Sequence, residues 1–493
     1  MRPRDAVIRG AAGAAATATA LLLAACGGGG GGDVSERNGI GLPSSASLAE
    51  RCGAADEKAF LRSWIDETYL WYQDVRALPA ATLDPARSTT PLEYFAVLKS
   101  TETTASGKPK DQFHFTYPTP VWERLSQQGV AVGYGFEIAL VSRTVPRRAV
   151  VAFSEPATPA AAAGIGRGAE ILEVDGVDVV NGTDTARLNA GLFPTEAGDH
   201  VFRVRDRGAN ADRVVTLAAA AITRDPVQNV RTLPAPNDRV GYLLFNDHVA
   251  TAEGQLVAAV GQLRAAGITD LVIDIRYNGG GLLAIASELA YMVAGPGPTA
   301  GKTFERLLFN DRDPFGVSDA GSRTPFQTTT RGFSTTAGQP LPTLNLPRVF
   351  VLAGGDTCSA SESIVNGLRG AGVTVVHIGG RTCGKPYGFY PEDNCGTTYF
   401  AIQFQGVNHL GFGDYADGFA PTCTVADDFS RELGDPLEDS LDTALGYRAS
   451  GTCTPLVGRR GPLSRMASAP VAAPGTRLLV RSPERENRIV ERR

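Results

Sequence analysis

Two short segments in the second half of the chain contain residue types that could carry out acyl transfer. The segment "TCSASES" places Ser359 and Ser361 beside Glu362, and the segment "GGRTCGK" ends in Lys385. A serine hydroxyl is a poor nucleophile at neutral pH and needs a base to take its proton. A lysine amine is such a base only where burial disfavours its charged form. These residues predict a hydrolase with a serine nucleophile and a lysine base.

The same residues also have a purely structural interpretation. Serine is a common N-cap residue and glutamate suits the third position of a helix, so Ser359 and Glu362 could form a capping box. Ser361 is better explained as a hydroxyl in the first helical turn than as the nucleophile. Lys385 alone would be read as a surface lysine, and only its pairing with a serine gives it a chemical role.

The order of the elements predicts that the two segments meet. A helix from Ser359 to Ala371 would advance about 20 Å at ~1.5 Å per residue. The following apolar segment "VTVVHIGG" would return over about the same distance as a strand, at ~3.3 Å per residue. Because the chain then comes back to where the helix began, we expect Lys385 to lie near Ser359.

Acyl transfer also requires hydrogen-bond donors for the oxyanion. The backbone N–H of Ala360 at the helix start is one candidate, since the positive end of the helix dipole lies there. Gly280 or Gly281 in "RYNGGG" is the second candidate. This glycine turn follows the buried strand "TDLVIDI", at the carboxyl edge of the predicted sheet, where α/β proteins bind ligands.

Strand and helix patterns alternate from Arg239 onward, which predicts an α/β core with a largely parallel sheet. Upstream, the segment "EKAFLRSWIDETYLWYQDV" spaces its apolar residues as one face of a helix. That face contains Phe60, Trp64, Thr68 and Trp71. The first part of the chain is therefore predicted to be helical.

The segment between these two regions begins with a strand bearing Gly133, Tyr134, Gly135 and Phe136. An Ala-rich helix near Pro159 and an apolar strand ending in "VDG" follow. In this order they resemble a PDZ domain over residues 129–220. The resemblance implies that backbone N–H groups of the glycine loop bind the terminal carboxylate of a peptide, which adds to the domain as an extra strand.

The segments "LVIDIRYNGGG", "TCSASES" and "GGRTCGK" resemble the three signature segments of the C-terminal processing (tail-specific) serine proteases. The resemblance implies an α/β fold with a crotonase-like (ClpP/crotonase-type) core and a Ser/Lys dyad. It implies no metal or organic cofactor, and substrates that are proteins or peptides with exposed carboxyl termini. The implied roles are nucleophile for Ser359, general base for Lys385, supporting acid for Glu362, and oxyanion donors for Gly281 and Ala360.

The chain departs from this family pattern near the predicted base. Many members carry a glutamine four residues after the lysine, where this chain has Phe389. A residue that orients Lys385 would then come from elsewhere, and Gln403 or Gln405 is a candidate. Cys358, directly before the nucleophile, is also unusual.

The first 26 residues predict export. Three arginines precede an apolar run that ends "LLLAAC", which is too short to span a bilayer and is typical of a secretory signal. The end of this run resembles a bacterial lipobox, which implies cleavage before Cys26 and lipidation of its thiol. A simple cleaved signal with an incidental Cys26 is the alternative. We expect an envelope lipoprotein that faces the periplasm, anchored in the outer membrane because Gly27 rather than Asp follows the cysteine.

The remaining six cysteines are an even number, which predicts disulfides in an oxidising compartment. Six cysteines permit 15 pairings, and the one pairing that we predict is Cys383 with Cys395. A zinc site is disfavoured because the spacings lack paired CxxC motifs and the chain has only five histidines.

Composition indicates a soluble globular protein of two or three domains and no nucleic-acid partner, since the chain has 493 residues, 20% of them charged, and a net charge of -5. The predicted parts are a lipoprotein signal peptide at 1–25, an anchored glycine-rich linker at 26–51, a helical domain at 52–128, the PDZ domain at 129–220, the Ser/Lys core at 221–453 and a disordered tail at 454–493.

Three other functions stay open on the sequence alone. A Ser-His-Asp hydrolase would need one of the histidines, such as His248 after a predicted strand, although no GxSxG elbow surrounds any serine. The chain could instead be an inactive peptide-binding lipoprotein, or its core could hydrolyse a small acyl compound. A serine endopeptidase is the prediction, because nucleophile, base and glycine turn occur in the expected order.

Overall fold

The computed structural model describes residues 41–142 and 145–453, together with the backbone of residues 488–489. The predicted signal, the lipidation site at Cys26 and the glycine run lie outside the described residues, as does the predicted tail apart from those two positions. No helix within the described part of the chain combines the length and apolar character needed to cross a bilayer.

The first region is mainly helical, as the apolar spacing predicts. Its elements are α1 (Ser45–Leu48), α2 (Ala54–Thr68), α3 (Tyr72–Arg76), α4 (Ala80–Leu83), α5 (Pro91–Val97), β1 (Phe115–Pro118) and α6 (Thr119–Gln128). Phe60 and Trp64, one turn apart on α2, are both buried. Trp71 does not share their face, because α2 ends at Thr68 and Trp71 lies in the turn before α3.

A seven-stranded domain follows, residues 130–223 with a gap at 143–144. Its elements are β2 (Val130–Gly133), β3 (Phe136–Ser142), β4 (Arg148–Ser154), α7 (Pro159–Ala162), β5 (Glu170–Val174), β6 (Val177–Asp178), α8 (Thr185–Leu192), β7 (Gly198–Arg205) and β8 (Arg213–Thr223). The strand order is β2-β8-β7-β5-β4-β3, with β6 paired to β5. β3 is therefore an edge strand, and the domain has its own buried cluster that includes Leu188 and Phe202.

The third region alternates strands and helices. Its elements are β9 (Val227–Thr232), β10 (Val240–Phe245), α9 (Ala252–Ala265), β11 (Asp270–Asp274), β12 (Gly281–Leu282), α10 (Leu283–Ala294), α11 (Pro296–Thr299), β13 (Thr303–Phe309), β14 (Arg323–Pro325), β15 (Arg348–Ala353), α12 (Ala360–Ala371), β16 (Thr374–Gly379), β17 (Tyr387–Gly388), β18 (Glu392–Asn394), β19 (Thr397–Phe400), β20 (Phe404–Val407), β21 (Cys423–Thr424), α13 (Asp439–Ser450) and β22 (Arg488–Ile489).

The central sheet of this region has the order β21-β16-β15-β11-β10-β9. All neighbouring pairs run parallel except β10 with β9. Leu352 on β15 is the register partner of both Asp274 on β11 and Ile378 on β16. Because parallel strands in register end at the same edge, the segments that follow β11, β15 and β16 start side by side. These are the three segments that the sequence analysis singles out.

Both faces of the central sheet are covered at β10, which is buried along its whole length. On β10, Leu243 and Phe245 face a cluster built with α9, α10, α12 and the first helical region. Tyr242 and Leu244 face the opposite cluster, which includes α13 and Phe153 from the seven-stranded domain. Such continuous burial is the reason why parallel strands read as unbroken apolar runs rather than alternating patterns.

Two smaller sheets and one short strand pair complete the fold. β1 pairs with β19, which pairs with β18, so the first region is joined to the core by a three-stranded sheet. A second sheet has the order β14-β13-β20-β17. β12 pairs in parallel with β22.

Three disulfides form, as the even number of cysteines predicts. They join Cys52 to Cys395, Cys358 to Cys383 and Cys423 to Cys453. The predicted pairing of Cys383 with Cys395 is wrong. Cys395 lies in the turn between β18 and β19, which the pairing with β1 holds against the first region, whereas Cys383 follows β16 beside the turn that precedes α12.

Candidate active site

Ser359 lies at the sharp turn between β15 and α12. Its backbone has φ 59° and ψ -116°, in a region that costs a residue other than glycine about 1–3 kcal/mol. The preceding residue is fixed from the neighbouring strand segment, since the N–H of Cys358 donates to the carbonyl of Asn278 at 3.2 Å. α12 then runs to Ala371 and ends at Gly372 with φ 88°, in agreement with the predicted helix. Ser359 is fully buried.

Glu362 joins the serine turn to the lysine segment. Its Oε2 accepts the backbone N–H of Ser359 at 3.0 Å and that of Lys385 at 2.8 Å. Its Oε1 accepts the N–H of Gly384 at 3.0 Å and the hydroxyl of Thr382 at 2.5 Å. One oxygen thus bonds to the backbone of both predicted dyad residues, and the two segments meet as the helix-and-return-strand argument predicts.

The capping interpretation of Glu362 is therefore correct but incomplete. The carboxylate does accept the N–H of Ser359, as in a capping box, and it also holds the segment that ends in Lys385. Burial raises the pKa of the Glu362 carboxyl, and the four hydrogen bonds that it accepts partly oppose this rise.

The side chain of Lys385 is fully buried between aromatic rings. Its Nζ lies 4.6 Å from the ring centroid of Phe113 and 4.5 Å from that of Phe389. Phe389 is the residue that stands at the glutamine position of the family pattern. Phe113 was missed by the sequence analysis, because an aromatic residue in an extended segment so far along the chain gives no signal of this contact.

The two glutamines proposed to orient Lys385 have other partners. Gln403 accepts the backbone N–H of Tyr390 at 2.6 Å and donates to Thr68 at 3.4 Å. Gln405 donates to the carbonyl of Gly413 at 2.9 Å. The aromatic contacts, not these amides, surround the amine in the structure.

The glycine turn after β11 is organised by Asn278. The Oδ1 of Asn278 accepts the N–H of Gly280 at 3.0 Å, and its Nδ2 donates to the carbonyl of Phe245 at 2.9 Å. The N–H of Gly280 is therefore already donated within the turn. The oxyanion role stays a prediction, and Gly281 is the glycine to which the family resemblance assigns it.

His248 fixes the orientation of Gly281. The N–H of His248 donates to Gly280 and its carbonyl accepts the N–H of Leu282, in a parallel bridge with Gly281. The N–H and carbonyl of Gly281 itself therefore point to the opposite side. Gly281 has φ 136°, and a Cβ there would lie 2.7 Å from the carbonyl oxygen of His248, so only glycine fits.

The imidazole of His248 is buried and neutral. Its Nδ1 lies 2.9 Å from Oδ1 of Asn278, an oxygen that can only accept, so Nδ1 carries the proton. Burial lowers the pKa of His248 to about 3. The structure thus gives this histidine a place behind the glycine turn, where it supports Gly281 through its backbone.

Ala360 is the first residue of α12 and is fully buried. The first N–H groups of a helix have no partner within the helix, and the positive end of the dipole lies there. Its N–H is thus one of the first backbone donors of α12, and its oxyanion role stays a prediction. Ser361 lies one position further along, with its backbone N–H donating to the carbonyl of Cys358 at 3.0 Å.

The glycine loop of the seven-stranded domain lines a groove of about 730 Å³. The hydroxyl of Tyr134 donates to the carbonyl of Gly191 on α8 at 2.6 Å. Gly135 has φ 84°, and a Cβ there would lie 2.2 Å from the Cβ of Thr158. The predicted loop residues Gly133, Tyr134, Gly135 and Phe136 all line the groove, together with residues of α8 and the edge strand β3.

Arg167 connects this domain to the glycine turn. Its guanidinium donates to the hydroxyl of Tyr277 at 2.7 Å and to Asp427 at 2.6 Å. Tyr277 directly precedes Asn278, and Arg167 is itself buried. This contact could not be predicted, because nothing in the sequence distinguishes Arg167 from a surface arginine.

Residues 239–388 match the model of peptidase family S41. The chain contains an S41 peptidase domain. The matched stretch of this S41 domain begins just before β10 and includes Ser359, Lys385 and the glycine turn.

Curated relatives of the S41 domain include the carboxyl-terminal-processing protease of Picosynechococcus sp., which is 28% identical over 47% of this chain and 49% of its own length. Another is the chloroplastic carboxyl-terminal-processing peptidase 1 of Arabidopsis thaliana, 26% identical over 45% of this chain and 41% of its own. The chain spans about half the length of these relatives or less.

The fold can also be compared with a solved structure over residues beyond the matched stretch. A solved structure from Bacteroides fragilis, described as a candidate S41 protease, superposes with a TM-score of 0.59. It is 22% identical and covers 80% of this chain and 97% of its own. The likeness establishes that the mixed α/β architecture is shared.

Proposed function

We propose that this protein is a serine endopeptidase of the carboxyl-terminal-processing type, with Ser359 as nucleophile and Lys385 as general base. The observation that carries the proposal is the single carboxylate oxygen of Glu362 that bonds to the backbone N–H groups of both residues. The S41 domain supports the same conclusion, because both residues lie within it.

In the proposed reaction, Oγ of Ser359 attacks the scissile carbonyl while Nζ of Lys385 takes its proton. The oxyanion that forms accepts hydrogen bonds from the N–H groups of Gly281 and Ala360. The C–N bond then breaks, and the lysine gives the proton to the leaving amine. Water hydrolyses the remaining ester with the same amine as base, and Ser359 regains its hydroxyl.

The surroundings of Lys385 suit a base that carries its charge only briefly. Burial disfavours a charged amine before the reaction. The faces of Phe113 and Phe389 attract the ammonium ion that forms when the amine takes the serine proton. A glutamine is therefore not required at the position of Phe389 for the lysine to be held.

The substrate is proposed to lie as an extended strand beside β12, within a crotonase-like core. The N–H and carbonyl of Gly281 point away from His248, toward the side on which β22 pairs. β22 also contacts β17, which begins two residues after Lys385. That this space accommodates an extended segment of the chain itself supports the proposal that a peptide can occupy it.

The seven-stranded domain is proposed to be a PDZ domain that binds the carboxyl end of the substrate. β3 lies at the edge of the sheet, and residues of β3 and α8 line the groove. A peptide that pairs with β3 as an additional strand would place its terminal carboxylate at the loop formed by residues 133–136.

Export to the cell envelope and anchoring through Cys26 complete the proposal. The three disulfides support an oxidising compartment, since such bonds persist outside the cytoplasm. Replacing Cys26 with serine should move the protein from the membrane fraction to the soluble envelope fraction. Unchanged membrane association would contradict the lipid anchor.

The function is tested by degradation of an unstructured protein that ends in an apolar tail. Wild-type protein should degrade it, Ser359→Ala and Lys385→Ala should not, and Ser361→Ala serves as the matched serine control. Equal activity of all four proteins would refute the assignment. An inactive wild type that binds the tail would indicate a peptide-binding lipoprotein, and turnover of thioesters without proteolysis would indicate an acyl hydrolase.

A further inference from the structure

One of the three disulfides joins the two segments that contain the proposed catalytic residues. It joins Cys358, directly before Ser359, to Cys383, two residues before Lys385. We propose that this disulfide is a positioning device that holds the lysine segment against the serine turn, so that peptidase activity requires this pair to be oxidised. The proposal rests on the function proposed above and adds a condition under which that site is active.

The lysine segment needs a constraint because its backbone is rich in glycine. Gly379 and Gly384 both have positive φ, 124° and 89°, and Gly380 lies between them. Glycine gives up more conformational freedom on ordering than any other residue. A segment of this composition would sample many positions for Lys385 unless it were tied down near its end.

The covalent bond acts together with several hydrogen bonds. The N–H of Cys383 donates to the carbonyl of Thr357 at 3.1 Å, and the carboxylate of Glu362 holds the next two N–H groups. These bonds all join the same two segments as the disulfide. Each becomes easier to form when the disulfide has already brought the segments together, so loss of the disulfide should weaken the whole set.

The disulfide is open to a small reductant from one side only. Cys358 is fully buried, whereas Cys383 is half-buried. A dithiol would attack the sulfur of Cys383, release the thiolate of Cys358, and then close on itself to release Cys383. The two electrons and two protons that convert the disulfide into two thiols come from the dithiol, which becomes a cyclic disulfide.

The other two disulfides provide internal controls. Cys52–Cys395 joins the first helical region to the turn between β18 and β19, and Cys423–Cys453 joins β21 to the residue after α13. Neither pair flanks Ser359 or Lys385 in the sequence. Removing either should affect stability without a specific loss of turnover.

The test compares the double variant Cys358→Ala/Cys383→Ala with Cys52→Ala/Cys395→Ala and Cys423→Ala/Cys453→Ala. For the first we expect kcat to fall about 10–100-fold, the loss typical of a misplaced catalytic group, while KM for a tail-bearing substrate stays within error because the groove is unaffected. The two control pairs should keep kcat. Circular dichroism and thermal unfolding establish that each variant is folded.

A second measurement uses wild-type protein and does not depend on the variants folding. Treatment with dithiothreitol should lower kcat in step with alkylation of Cys383 seen by mass spectrometry, and reoxidation should restore it. A folded Cys358→Ala/Cys383→Ala variant with wild-type kcat, or full activity after this pair is reduced, would overturn the proposal. Failure of the proposed function is a different result, since oxidised wild-type protein would then show no proteolysis at all.

Discussion

Glu362 and Lys385 are joined by a hydrogen bond of 2.8 Å from the lysine N–H to the glutamate Oε2, the same oxygen that accepts the N–H of Ser359. The carboxylate of Glu362 therefore contacts both residues of the proposed dyad through their backbone N–H groups. Its position one helical turn after the serine, on the first turn of α12, brings the carboxylate back to the turn where the helix begins.

Replacing Glu362 with glutamine should lower both activity and stability. An amide has one acceptor oxygen in place of two, so some of the four donors now facing the carboxylate would lose their partner. We expect a decrease in the free energy of unfolding of about 1–3 kcal/mol, the cost of leaving a buried donor unpaired. We expect kcat to fall about 10–100-fold, because the lysine segment would shift.

Urea unfolding and steady-state proteolysis measure these two effects of Glu362→Gln. Glu432→Gln is the matched control, since Glu432 is exposed and makes only a surface ion pair with Arg207. A Glu362→Gln variant with normal kcat and stability would mean that the carboxylate does not hold the dyad.

Replacing Phe113 with leucine should slow turnover and change its pH dependence. The ring face lies 4.6 Å from Nζ of Lys385 and would stabilise the ammonium ion formed during acylation. Such a contact is worth ~0.5–2 kcal/mol, so kcat should fall about 2–30-fold. Because the variant would stabilise the charged amine less, the rise of activity with pH should move to lower pH.

Rate measurements across a pH series check the prediction for Phe113→Leu. Phe60→Leu is the control, because Phe60 is buried in the same helical region, where its ring stacks on Trp64. An equal loss in both variants, with an unshifted pH profile, would mean that Phe113 only contributes to packing.

Much of the site could be predicted because it depends on the order of strands, helices and motifs along the chain. The three chemical segments each follow an apolar run, and those runs form the adjacent parallel strands β11, β15 and β16. Parallel pairing alone brings their ends together, so the meeting of Ser359 and Lys385 follows from element lengths. The helix α12 and the strand β16, which lie between these two residues in the chain, have similar lengths in ångströms, so the chain returns to the start of the helix.

The contacts that were missed come from parts of the chain distant in sequence. Phe113 reaches Lys385 from the first helical region, and Arg167 reaches Tyr277 from the seven-stranded domain. Neither residue type predicts its partner. The predicted pairing of Cys383 with Cys395 is wrong for the same reason. The strand β19 pairs with β1 of the first region, and Cys395 therefore lies next to Cys52.

Replacing Glu288 with glutamine should remove a pH dependence of stability. Burial and the neighbouring Glu253 raise the pKa of Glu288 to about 8. The folded protein then holds a proton on Glu288 that the unfolded chain releases near its usual pKa of about 4.3. The resulting stability is fully present below that pH and is lost as the pH rises through about 8.

We therefore expect the wild-type free energy of unfolding to fall by about 4 kcal/mol between the two pKa values. For Glu288→Gln, we expect the free energy of unfolding to change less with pH over this range. Chemical denaturation at pH 5 to 9 measures this, with the exposed Glu123→Gln as control. If the free energy of unfolding changed with pH in the same way for wild type and Glu288→Gln, the raised pKa of Glu288 would be contradicted.

Replacing Gly135 with alanine should separate substrate capture from chemistry. The added Cβ would meet Thr158 at 2.2 Å in a backbone with φ 84°, so the glycine loop that lines the groove must shift. KM for a protein with an apolar tail should rise about tenfold, equivalent to ~1.4 kcal/mol of binding, whereas kcat for a short peptide that does not reach the groove should stay unchanged.

Gly208→Ala is the matched control, because Gly208 has φ 73° in the same domain but nothing within 4 Å of an added Cβ. Equal KM values for the two variants would mean that the loop does not bind the substrate tail, and a lower kcat on the short peptide would mean that the domain also acts on the catalytic site.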